Sequence, residues 1–208
     1  LSYQWDYFCS PLYYLQAVDG QRPDVTMIEV KLLKRSWYLT QLEKNYPALM
    51  QRSAPEVAAY SRELYKFEHN LPYAGEVIER CYMNLVNSFI RKNISERPVY
   101  LTCELEQEIG AGLQRVPEGL VFRLYPEGQG YSGFDMSRVT IPAADRFRKE
   151  DRYHTALKSF YAVMLASRGL YELHFKKGEQ ARGLIQKAQT LYPEHPAVKK
   201  ALALIGDN

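Results

Sequence analysis

The sequence predicts an α/β fold: a small, mostly parallel, Rossmann-like sheet with flanking helices, followed by a helical hairpin like a tetratricopeptide repeat. Three observations point there. Short runs rich in apolar and aromatic residues alternate with longer stretches whose apolar residues recur at helical spacing. Turn-forming prolines and glycines separate them. From about residue 145 onward the pattern is helical throughout, with small residues at regular intervals.

Leu1 to Phe8 mixes aromatic and apolar residues and reads as a strand. Pro11 suits the first turn of a helix, and Leu12, Leu15 and Val18 carry that helix to a stop at Gly20. Arg22-Pro23-Asp24 is a turn, because the residue before proline is pushed extended. Val25 to Val30 holds β-branched residues and reads as a second strand. Ser36 can cap a helix carrying Tyr38, Leu42 and Tyr46, ended by Pro47. Ser53-Ala54-Pro55-Glu56 has the form of a capping box, in which the serine oxygen takes a free N–H and the glutamate reaches back to the serine N–H. Val57, Tyr60, Leu64 and Phe67 then follow at 3-4-3 spacing, and Ile78, Cys81, Leu85 and Phe89 make a similar stripe. Val99 to Cys103 and Leu120 to Tyr125 read as two more strands, separated by a Glu-rich segment.

This reading divides the chain into an α/β domain over 1–127, a glycine-containing linker over 128–144 and a helical segment over 145–208. In the last, Gly169, Ala181, Ala188 and Pro193 stand at intervals of 12, 7 and 5, as small residues and proline do in tetratricopeptide repeats. Val198, Leu202 and Ile205 give a final helix able to cover the repeat's apolar face.

Composition excludes several classes. With 46% hydrophobic and 25% charged residues the chain is far from disorder. A net charge of +3, spread without a basic stripe, argues against nucleic-acid binding. Its 17 tyrosines imply either a core whose hydroxyls find partners at its edges, the commoner case, or a sticky surface. Cys9, Cys81 and Cys103 form no paired spacing and read as buried free thiols. The apolar run Ser159 to Ser167 is far shorter than a membrane span, which needs roughly 20 residues. The four histidines, His69, His154, His174 and His195, show no metal-ligand spacing, and no serine stands in a GxSxG elbow. Gly110-Ala111-Gly112 lacks the third glycine of a dinucleotide fingerprint.

Ligands of open α/β sheets gather at the carboxyl ends of the strands. That rule selects Asp6, Lys31, Glu104 and Glu106. Two carboxylates over one cleft can do acid–base work or hold a divalent metal; equally, Asp6 and Glu104 can each cap a turn.

An ordered series of motifs adds a family expectation: Tyr3-Gln4-Trp5-Asp6-Tyr7-Phe8, Tyr13-Tyr14-Leu15-Gln16, Gly20-Gln21-Arg22-Pro23-Asp24-Val25, and Leu32-Leu33-Lys34-Arg35-Ser36-Trp37-Tyr38. Arg97-Pro98-Val99-Tyr100-Leu101 and Pro117-Glu118-Gly119-Leu120-Val121 continue it. The series resembles the soluble region that follows the transmembrane helices in a bacterial multi-spanning membrane-protein family, itself similar to protein O-mannosyltransferases. The resemblance covers most of Leu1 to Tyr125 and is strongest over the first 47 residues. It implies a membrane part before Leu1, consistent with a chain that opens without methionine on residues already strand-like. It also implies an extracytoplasmic, periplasmic placement, with the catalytic carboxylates in the membrane part and not in this chain. Asp6, Arg22, Asp24 and Trp37 match motif positions and join Lys31 and Glu104 as candidate ligand-binding residues; no catalytic residue, metal or cofactor is assigned.

The expectation is thus a non-catalytic accessory or binding domain of a membrane-bound, glycosyltransferase-like protein. Its partners would be the transmembrane part of its own chain and a protein or glycan acceptor. Two alternatives stay open: an interaction scaffold using the helical hairpin, and a small-molecule enzyme with a carboxylate cleft at Asp6 and Glu104.

Overall fold

The computed structural model describes residues 1–141 and 151–206. It corrects the Rossmann-like expectation. The described residues are about 58% helical, and among them the strands β1 (Tyr100–Leu101), β2 (Leu113–Glu118) and β3 (Val121–Pro126) make one small antiparallel sheet. Two compact units are present, Leu1–Leu113 and Gln114–Asn208. Residues 142–144 of the expected linker and 145–150 of the expected helical segment lie outside the described residues.

The expected parallel sheet fails for a local reason. From Leu1 to Ala17 the sequence holds no β-branched residue, so nothing favours extended backbone beyond the first few positions. After Gln4 the chain winds into a π-helical turn over Trp5–Cys9 and then into α1 (Ser10–Ala17), which has proline in its first turn. Little chain is left to pair. Ser2 forms an isolated parallel bridge with Glu29, in which Ser2 N donates to Ile28 O and Val30 N donates to Ser2 O. Val25 to Val30, though β-branched, therefore has too short a partner to become a strand, and Val99 to Cys103 shrinks to the two residues of β1.

Helices make the rest of the first unit. A 3₁₀ turn over Leu32–Lys34 leads into α2 (Ser36–Asn45), α3 (Pro47–Arg52), α4 (Ala54–Glu68) and α5 (Gly75–Arg91). Helix α5 is the most one-sided, burying Tyr82, Leu85, Val86, Phe89 and Ile90 in a core that includes Leu33, Tyr38, Leu42, Tyr60 and Leu64. Tyrosine hydroxyls are paired at the edges of this core. Tyr82 Oη donates to Val30 O at 3.0 Å, and Tyr38 Oη accepts from Glu29 N at 3.0 Å. The capping box at Ser53 does not form: the Ser53 Oγ is buried without a hydrogen-bond partner, while Glu56 pairs with Lys92 at 2.7 Å.

In the second unit β2 and β3 form a hairpin whose turn opens on Gly119, with φ 65°; a tight two-residue hairpin needs a positive φ there. Helices α6 (Arg152–His174), α7 (Gly178–Leu191) and α8 (Pro196–Gly206) follow. Their shared core holds Ala162, Leu165, Ala166, Ile185, Ala188, Val198 and Ala201. Gly169 lets α6 and α7 approach closely, since a Cβ there would stand 2.5 Å from Ile185 Cγ1 and 3.2 Å from Ala181 O.

Candidate functional site

The site with the most developed geometry is an aromatic cleft between α4 and α5, entirely within the first unit. Helix α4 presents Tyr60, Leu64 and Phe67 at helical spacing, and α5 presents Gly75, Ile78, Glu79 and Tyr82 from its first turns. The connection between the helices supplies Tyr73, and the 3₁₀ turn, anchored by the fully buried Leu33, supplies Lys34. These residues line an open cleft of about 300 Å³.

The floor and the mouth differ. Tyr60 and Tyr82 are buried, with ring centroids 5.7 Å apart. Burial pushes both phenols above their ordinary range, so both hydroxyls stay protonated at neutral pH. Phe67 and Tyr73 stand at the mouth, 44% and 47% exposed. They form an edge-to-face pair with centroids 5.4 Å apart and planes at 88°. Lys34 Nζ lies 4.8 Å from the centroid of the Tyr82 ring and 3.9 Å from Glu79 Oε2. Both charged side chains are more than half exposed, so the pair contributes little to stability and its polar atoms face solvent at the cleft.

The residues that motifs and strand ends pointed to are dispersed. Lys31 does not line the cleft; its Nζ stands 5.3 Å over the Tyr3 ring. Burial, followed by a hydrogen bond with Glu106, raises the Tyr3 phenol, which also hydrogen-bonds Tyr82. Glu104 turns inward, where its Oε1 accepts from Ser2 Oγ, Tyr3 N and Thr102 Oγ1 at 3.2, 3.1 and 2.6 Å. Asp6 is exposed in the first turn of the π-helical segment. Arg22 and Asp24 close on each other through two 2.9 Å hydrogen bonds, and the guanidinium holds the Asp24 carboxyl below its ordinary range. Trp37 is 55% exposed, edge-on to Tyr38.

Sequence reasoning missed Tyr73 and Glu79, gave Lys34 no role in a site, and took Tyr60 and Phe67 for plain core positions. The available signal was aromatic enrichment on the α4 face continued into the Leu71-Pro72-Tyr73 connection.

A second arrangement emerges only in three dimensions. Ser159 Oγ lies 3.0 Å from His195 Nε2. This resembles a nucleophile–base pair, but the other ring nitrogen decides the tautomer. His195 Nδ1 accepts from Ala197 N at 3.2 Å. Nε2 therefore carries the proton and donates it to Ser159. The imidazole has no lone pair left for the hydroxyl and acts as the N-cap of α8. Burial pushes the Cys9 thiol up to about 11 and the Cys103 thiol up to about 12, which disfavours the reactive thiolate. Among the described residues no group of three or more His, Cys, Asp or Glu side chains is placed to hold a metal ion.

No protein-family model, curated protein or solved structure matches the chain.

Proposed function

We propose that this chain is a ligand-binding accessory domain of a membrane-bound, glycosyltransferase-like protein, placed on the extracytoplasmic side, and that its ligand sits in the α4–α5 cleft. The cleft carries the proposal. It combines a buried aromatic floor and two half-exposed rings at the mouth with a few polar groups at the rim, the composition of sites that hold small molecules or chain segments. The motif series of the first 47 residues supplies the membrane context and the partner, the transmembrane part of the same protein. In this reading the domain orients an acceptor glycan or protein and leaves bond making to residues upstream.

Filling the cleft tests it. A Cβ added at Gly75 meets no atom within 4 Å, so Gly75→Phe starts from open space at the cleft. The 208-residue chain should keep its thermal unfolding profile. Full-length protein in membranes should lose most of its transfer from a lipid-linked sugar donor to acceptor, as should Tyr73→Ala. Undiminished transfer by both variants overturns the proposal.

A further inference from the structure

We infer that the cleft takes a neutral pyranose ring, such as one residue of a glycan chain, seated in the corner between Tyr73 and Phe67 with its hydroxyls on Glu79 and Lys34. This inference rests on the reading of the cleft as a ligand site and names the class of ligand.

Three classes compete for an aromatic pocket, and the rim separates them. A cluster of aromatic rings beside a carboxylate can cage a quaternary ammonium through cation–π attraction. Here that seat is taken: Lys34 Nζ already stands 4.8 Å over Tyr82, and a second cation would be repelled. An anion such as phosphate would be drawn to the start of α5 and to Lys34. Glu76 and Glu79 occupy the first turns of that helix, and Glu79 lies 3.9 Å from the lysine, so two carboxylates oppose an incoming anion there. A wholly apolar ligand would strip water from both charged groups and return no hydrogen bonds.

A pyranose meets every constraint. One face presents C–H groups of slight positive polarity to the negative face of an aromatic ring. The hydroxyls around its edge donate to a carboxylate and accept from an ammonium. Glu79 and Lys34 offer both at one side of the cleft, while the Phe67–Tyr73 corner, with planes at 88°, offers one ring to stack on and one to close the end. The cleft's 300 Å³ stands at the low end of the range for ligand pockets, which suits a small ligand. The half-exposed rings at the mouth are what a ligand would cover.

Titration of the ¹⁵N-labelled 208-residue chain tests the assignment, with methyl α-mannopyranoside, methyl β-glucopyranoside, choline and inorganic phosphate as separate probes. A neutral glycoside should move the amide signals of Lys34, Gly75, Ile78 and Glu79 saturably. Tyr73→Ala and Glu79→Ala should each weaken that binding at least tenfold, and Trp5→Ala should leave it intact. Choline or phosphate moving those signals in place of the glycosides overturns the assignment, as does silence from both glycosides. If the glycosides are silent but Gly75→Phe still abolishes transfer by the full-length protein, the cleft remains a ligand site and only the ligand class is wrong. If Gly75→Phe has no effect either, the site itself is wrong.

Discussion

Arg168 illustrates what a single residue can fix in the second unit. Its side chain is 1% exposed. Nε donates to Glu172 Oε1 at 2.7 Å, Nη1 to Pro117 O at 2.9 Å and Nη2 to Ser132 O at 2.9 Å, so each guanidinium nitrogen has a partner. The guanidinium carbon also lies 4.9 Å over the Tyr171 ring. One side chain thereby ties α6 to the edge strand β2 and to the loop after β3. Breaking a buried pair by removing one partner costs about 3–5 kcal/mol, because the other charge stays buried and unpaired. Arg168→Met should lower urea-unfolding stability by about that amount, and Glu172→Gln should cost less because it keeps an oxygen toward Arg168. A loss under about 1 kcal/mol for Arg168→Met would show that water reaches Glu172. Nothing in the sequence marks this role: Arg168 reads there as the charged end of an apolar run, and its carbonyl partners lie 36 and 51 positions away.

At the scale of elements, legibility follows sidedness. The stripes Val57, Tyr60, Leu64, Phe67 and Ile78, Cys81, Leu85, Phe89 fall within α4 and α5, and Val198, Leu202, Ile205 within α8. Each helix has one apolar face, so helical periodicity reports it directly. Strands lacked such a signature. Leu1 to Phe8 looked extended because it is apolar, although apolarity does not separate a strand from a buried turn. Strand β2 went unseen because Leu113-Gln114-Arg115-Val116-Pro117-Glu118 holds a proline and two charges, tolerable only at a sheet edge, where β2 lies. The cap of α8 carries a prediction of its own. Burial lowers the His195 pKa below its ordinary value of 6.5. A depressed pKa means that the unfolded chain takes up the proton first. The stabilisation is complete above about pH 6.5 and is lost as pH falls from there through the folded-state value. Protonation would also remove the acceptor for Ala197 N and set a positive charge at a helix N-terminus. Urea midpoints of the second unit should therefore fall between about pH 7 and about pH 5. His195→Asn, which can still cap, should flatten that slope. An equal slope in both proteins would assign the effect to other groups.

For the whole molecule, the sequence misled at the level of connectivity. Strands alternating with helices are the mark of a parallel sheet only if each strand is long enough to pair on both sides. Here the parallel register survives as one bridge at Ser2 and Glu29, and the larger share of the core is helix against helix. No described helix is long and apolar enough to cross a membrane. The longest of them, α6, has 23 residues but carries Arg152, Lys158, Arg168 and Glu172 along its length. The membrane attachment proposed from the N-terminal motifs is a statement about the full-length protein. That makes a decisive measurement available in cell fractions. The full-length product should sediment with membranes and resist extraction at high pH and high salt, because several apolar spans of about 20 residues each would hold it there. Trypsin added to intact spheroplasts, whose outer membrane is open, should then cut within Leu1 to Asn208 if the domain faces away from the cytoplasm. A full-length product that washes off in salt removes the membrane-bound reading. A membrane-held product whose domain is cut only after the inner membrane is broken keeps the anchor but moves the cleft, and its ligand, to the cytoplasmic side.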